Sequence, residues 1–151
     1  MNVDEAFDEL MKFTHFWNWA PDWTVCKNIY ETIPDSYSVL SPFAYCYLEE
    51  LIRSTTSEYG RVHIDVQGKK VNRKVGYKLI ELAIKENKVI KPEYVLQLEV
   101  LKKYYVKSKS TDIGDNRNSV AHGYMHPRFW DKESFENLII DIANISKFSG
   151  F

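Results

Sequence analysis

Arg117-Asn118-Ser119-Val120-Ala121-His122-Gly123-Tyr124 sets a permanent cation, a carboxamide and a titratable imidazole within a helical turn or so of one another. An arginine grips phosphate through a planar fork of fixed donors. An imidazole gives and takes protons near neutrality. Those groups suffice to break an RNA phosphodiester without a metal. The 2′-hydroxyl supplies the nucleophile, the imidazole moves protons, and the guanidinium holds the charge that grows on the phosphate. Arg117 and His122 are five positions apart, about 140° around a regular helix. One copy does not easily turn both groups to one phosphate, whereas two copies meeting across a two-fold axis would bring two arginines and two histidines into one cleft. Gly123 is placed to stop the helix after His122, at the negative end of its dipole. Plain structural roles stand beside this chemistry: Arg117 pairing with Asp112 or Asp115, and His122 capping a free carbonyl.

The elements that must position these groups read as mostly helical. Val3, Phe7, Leu10, Met11 and Thr14 recur at helical spacing from Asp4 to about Phe16, with acids in the first turn. An aromatic stretch follows, from His15 to Trp23, broken by Pro21. Ser41 as N-cap and Pro42 at the first helical position open a second helix that ends near Gly60. Its stripe is Phe43, Tyr47, Leu48, Leu51 and Ile52, with Glu49, Glu50 and Arg53 at other angles. From Arg61 to Gln67, apolar Val62, Ile64 and Val66 alternate with Arg61, His63 and Asp65, and Gly68 follows; this predicts a short extended segment or small hairpin. Helix resumes over about 71–87. Pro92 opens another, carrying Tyr94, Leu98, Leu101 and Tyr105 on one face. Residues 107–116 read as a polar, mobile loop. The last helix starts at the N-cap Asp131 and runs to Phe148. The expected architecture is an all-α, up-and-down bundle of about five helices in a single domain over 1–151.

Composition narrows the function classes. The chain has 151 residues, 44% hydrophobic and 27% charged, enough for one domain with a real core. A net charge of −1 argues against a general nucleic-acid binder and leaves room for a small local basic site. The N-terminus shows no signal peptide and no apolar run is long enough to span a membrane, so a cytoplasmic, non-membrane protein is expected. Cys26 and Cys46 form no CxxC and no metal-ligand spacing. No Walker A, GxGxxG, GxSxG or HExxH pattern occurs.

The string Arg117-Asn118-x-x-Ala121-His122-Gly123 resembles the R-x4-6-H motif of the HEPN domains. Those are short all-α bundles with the motif late in the chain and one more helix after it, as read here. The likeness is sharp over about residues 112–148 and architectural before that. It implies a homodimer with a composite, metal-independent, cofactor-free RNA-cleaving site. By the motif, Arg117 and His122 would be catalytic and Asn118 supporting. Tyr124 extends the match to R-x4-H-x-Y, which occurs in HEPN toxins paired with a nucleotidyltransferase antitoxin that modifies the tyrosine; a toxin or anti-phage setting and such a partner are implied. HEPN domains often direct a polar residue at the site from an early helix, which makes Glu49 a candidate. Some members are non-catalytic scaffolds, so a module binding a nucleotide, RNA or protein through the same cleft is the alternative.

Other signals are weaker. His122 and His126 have the i, i+4 spacing of a zinc pair, but Gly123 and Pro127 interrupt the helix and no cysteine is near, so no metal is expected. His15 and His63 read as ordinary surface or half-buried residues. Lys69, Lys70, Arg73, Lys74 and Lys78 form one basic cluster; Lys102, Lys103, Lys107 and Lys109 form another. Either suits an RNA backbone, and either suits a solvated helix face. The second leads into the loop before Arg117 and has the better claim to RNA. Trp17, Trp19 and Trp23 read as a lid over the core or part of a partner interface rather than a base-stacking platform.

Overall fold

The computed structural model describes residues 1–62 and 64–151. His63 lies outside the described residues, as does its reading as a surface histidine. Among the described residues seven α-helices follow in order: α1 (Val3–Lys12), α2 (Ala20–Thr32), α3 (Tyr37–Ser54), α4 (Tyr77–Asn87), α5 (Pro92–Leu101), α6 (Arg117–His122) and α7 (Lys132–Ser146). Short 3-10 turns at Lys102–Tyr105 and Pro127–Phe129 extend α5 and lead into α7. There is no strand among the described residues, and the fold is a helical bundle, as expected, though with seven helices rather than about five, since the Ala20–Thr32 segment forms a helix of its own.

Helix starts follow local chemistry. Asn2 Oδ1 accepts the Glu5 amide at 2.9 Å while the Glu5 carboxylate accepts the Asn2 amide at 2.9 Å, a reciprocal capping box that opens α1. Asp131 caps α7 by accepting the Ser134 amide at 2.7 Å. Pro21 does not break a helix; it lies in the first turn of α2, where a missing N–H costs nothing. Pro42, expected at the start of α3, lies inside it. The helix begins earlier, at Tyr37, and the Ser41 hydroxyl donates to Tyr37 O at 2.8 Å instead of capping. Helix α4 starts at Tyr77 rather than near 71, because Gly76 takes a left-handed φ of 58° that a helix cannot contain.

Helix α3 is the spine of the bundle. It packs on α7 and α4, while α1 lies along α7 and α4 pairs with α5. Phe7, Trp23, Tyr47, Leu48, Ile52, Leu98 and Phe135 are among the side chains wholly sealed inside. Each such large apolar group contributes about 1.5–3 kcal/mol through burial. The aromatic stretch divides: Trp23 is buried edge-on to Phe7 and Tyr47, Trp19 is half-buried against Tyr47, and Trp17 is exposed.

Residues 64–70 close into a tight turn rather than a hairpin of any length. Asp65 Oδ1 accepts the amides of Gln67 and Lys69, both at 2.9 Å, and Ile64 and Lys70 form one isolated antiparallel bridge. Val62, Ile64 and Val66 are all exposed, so the alternation has no buried face to enforce a sheet.

Candidate functional site

Helix α6 has only six residues and is held by its surroundings. Asn116, at its N-cap, accepts the Ser119 amide at 3.0 Å and donates from Nδ2 to Val106 O at 2.9 Å. The fully buried Ser119 hydroxyl donates to Asp112, whose carboxylate also accepts the Lys109 amide at 2.7 Å. Gly123 ends the helix in a left-handed conformation (φ 61°), and the Tyr124 amide reaches back to Ser119 O at 3.1 Å. The 107–116 loop is therefore tied down. Gly114 O accepts the Tyr45 hydroxyl at 3.0 Å, and Ile113 O accepts the Asp131 amide at 2.8 Å.

This frame aims Arg117 at α3. Its Nε lies 2.7 Å from Glu49 Oε1, and its Nη1 donates to Asn118 Oδ1 at 3.2 Å. Asp112 and Asp115, the carboxylates near it in sequence, are engaged elsewhere: Asp112 with Ser119, and Asp115 with the Ile113 amide. Glu49 Oε1 also accepts the Gly76 amide at 3.1 Å, which joins α3, α6 and the entry to α4 through one carboxylate. Pro42, Tyr45, Cys46 and Glu49 of α3 and Arg117, Val120 and Ala121 of α6 line a cleft of about 380 Å³.

His122 is exposed and does not line that cleft. Arg117, Val120 and Ala121 share a face at i, i+3 and i+4, and the fifth position turns away, as the 140° offset requires. The structure thus brings Arg117, Asn118 and Glu49 together and leaves His122 and Tyr124 on the open surface at the end of α6. The continuous helix needed to pair His122 with His126 does not exist, since α6 stops at His122.

The basic residues before the loop are partly spoken for. Lys102 pairs with Glu99 at 2.8 Å, a hydrogen bond that raises its pKa, and Lys103 pairs with Asp141 at 2.6 Å. Lys107 and Lys109 are exposed.

Periodicity alone did not single out the buried polar seam on α3. Tyr45, Glu49 and Arg53 recur every four residues beside the apolar stripe, and all three are buried. Arg53 donates to Glu50 at 2.7 Å and to Lys74 O at 2.9 Å. The Tyr105 hydroxyl is buried with no hydrogen-bond partner among the described residues. Burial first, and the Glu49 charge second, hold its pKa well above the usual tyrosine value, while Arg117 pulls the other way. The i+4 spacing was the available signal. It could not say which carboxylate Arg117 would meet.

Cys26 is buried and Cys46 exposed, both as free thiols. No helix among the described residues is long and apolar enough to cross a membrane. No family model, curated protein or solved structure matches the chain.

Proposed function

We propose that the chain is a metal-independent endoribonuclease that works as a homodimer, with Arg117 and His122 of both copies in one composite site. The observation that carries this reading is the division of labour on α6. Arg117 is fixed in a cleft by Glu49 at 2.7 Å and Asn118 at 3.2 Å, while His122, on the same short helix, is presented to solvent. A single copy has an anchored phosphate-binding group and an imidazole facing away from it, and a second copy would supply what each face lacks.

In the reaction, one His122 takes the proton of an RNA 2′-hydroxyl as the oxygen attacks the adjacent phosphorus. The bond to the 5′-oxygen breaks, and that oxygen leaves with a proton from the other His122. The products are a 2′,3′-cyclic phosphate and a 5′-hydroxyl. Arg117 stabilises the charge on the phosphorane oxygens. Because the nucleophile belongs to RNA, DNA is inert. The exposed Tyr124 hydroxyl is open to a modifying partner such as a nucleotidyltransferase antitoxin, which would fit a toxin or defence role.

One observation favours a second reading. The Arg117 charge is already met by a nearly buried carboxylate, an arrangement that also suits a non-catalytic module binding a nucleotide, RNA or protein. The deciding experiment is cleavage of RNA by the purified protein in EDTA, beside His122→Ala and a DNA strand of the same sequence. Cleavage of RNA alone, lost in the variant, is the expected result. Cleavage of DNA at the same rate defeats the mechanism, and no cleavage by either protein favours the binding module.

A further inference from the structure

We propose that the turn between α3 and α4 is a basic ribbon that grips the phosphodiester backbone of RNA. The choice of RNA among polyanions rests on the nuclease reading above. Between Gly60 and Lys78 stand six cations, Arg61, Lys69, Lys70, Arg73, Lys74 and Lys78, and one carboxylate, Asp65, in a chain whose net charge is −1. The charge of this protein is therefore strongly polarised. All six cations are exposed. Only Lys74 has an ionic partner among the described residues, Glu58 at 3.6 Å. Asp65 spends its carboxylate on the turn amides. Lys102 and Lys103, by contrast, are each neutralised by a carboxylate. Unpaired cations release counterions when they meet phosphates, and paired ones must first break a pair.

The geometry suits a backbone rather than bases. Arg61, Lys70 and Arg73 converge on a groove of about 290 Å³ with Gly60, Val62 and Val71. No Phe, Tyr or Trp occurs from Arg61 to Val75, and Tyr77 stands at the α4 end, so cations rather than stacking rings dominate the ribbon and its grip is largely independent of sequence. Its exposed apolar residues are Val, Ile and, at the α4 end, Tyr77, without the Trp, Phe or Leu that anchor a surface in lipid.

The ribbon is joined to the cleft. The Lys74 amide is held by the Glu58 carboxylate at 3.0 Å, Lys74 O accepts from Arg53, and two residues on the Gly76 amide clamps Glu49 Oε1. That oxygen is the one beside Arg117 Nε. The ribbon's α4 end is thus hydrogen-bonded to the residue that fixes Arg117.

The test is fluorescence anisotropy with a labelled 2′-O-methyl oligouridine of about 20 nucleotides, long enough to span such a surface. It has no free 2′-hydroxyl, so wild-type protein cannot cleave it. K69A/K70A/R73A should raise Kd at least about tenfold and lower the slope of log K against log salt by about 2, at roughly 0.7 per phosphate contact. K69R/K70R/R73K should bind like wild type, and K102A/K103A should change Kd less than about twofold. Thermal melts of each variant should match wild type, since all three ribbon side chains are exposed. Equal binding by wild type and K69A/K70A/R73A overturns the ribbon. So does a wild type that binds phosphatidylserine vesicles and not the oligonucleotide. If wild type cleaves RNA while the ribbon variant binds unchanged, the ribbon falls and the nuclease reading stands. If binding runs through the ribbon and nothing is cleaved, the nuclease reading falls and the ribbon stands.

Discussion

Oxygen Oε1 of Glu49 lies 2.7 Å from Arg117 Nε, and both side chains are largely withdrawn from water. Breaking such a pair from one side leaves the other charge desolvated, which costs more than the pair contributes. Glu49→Ala should therefore destabilise the fold by about 2–4 kcal/mol in urea unfolding. Glu49→Gln, which still accepts the Gly76 amide, should cost about half as much. Unchanged midpoints in both variants would show that the pair carries no stability.

Arg117→Lys separates charge from shape. It keeps a cation beside Glu49 but loses the planar fork. We expect stability within about 1 kcal/mol of wild type and RNA cleavage lower by about 100-fold or more. Full activity in this variant would remove Arg117 from transition-state stabilisation.

His122→Ala makes the complementary prediction. The imidazole is exposed, so unfolding should shift by no more than about 0.5 kcal/mol. Cleavage should fall by about 10²–10⁴. A large loss of stability would instead assign His122 to holding the end of α6.

The frame around α6 can be probed away from the chemistry. Asn116→Ala removes the cap on Ser119 and the bond to Val106 O, and should cost about 1–2 kcal/mol. Gly114→Ala should cost more than Gly123→Ala. Both glycines have positive φ, but a Cβ at Gly114 would meet Trp130 Cβ at 2.9 Å, while one at Gly123 meets nothing within 4 Å. Equal melting temperatures for the two variants would contradict that ranking.

Alkaline pH should unfold the protein. Burial pushes the Cys26 thiol from 9.0 up to about 12. It likewise pushes the Tyr47 hydroxyl from 10.0 to about 12, partly offset by its bond with Thr14. The unfolded chain releases these protons first, so stability is intact below pH 9.0 and declines as pH rises toward about 12. Each such group contributes a slope of about 1.4 kcal/mol per pH unit within its window. Melting temperature against pH should fall less steeply above pH 9.0 for Cys26→Ala than for wild type. Parallel curves would show that the thiol titrates alike in both states.

Local signals placed most of the helices, because capping and periodicity act over a few residues, but they missed α2, whose Pro21 read as a break and is a first-turn residue instead. Asp131 at the start of α7, Pro92 at the start of α5 and Gly123 at the end of α6 all stand where their chemistry placed them. The same locality misplaced Pro42, since the Tyr37–Leu40 segment becomes helical only when Leu40 has a core to enter. The 140° between Arg117 and His122 was likewise fixed by helix geometry, and with it the need for a second copy if both are to reach one phosphate. The partner of Arg117 was another matter. Asp112 and Asp115 were close in the chain, but Ser119 and the Ile113 amide took them, and Glu49 arrived from α3, 68 positions away. Short-range order is written residue by residue. Which charges meet across the bundle is decided by packing, because only the assembled core brings α3 and α6 within reach and removes the water that would otherwise screen them.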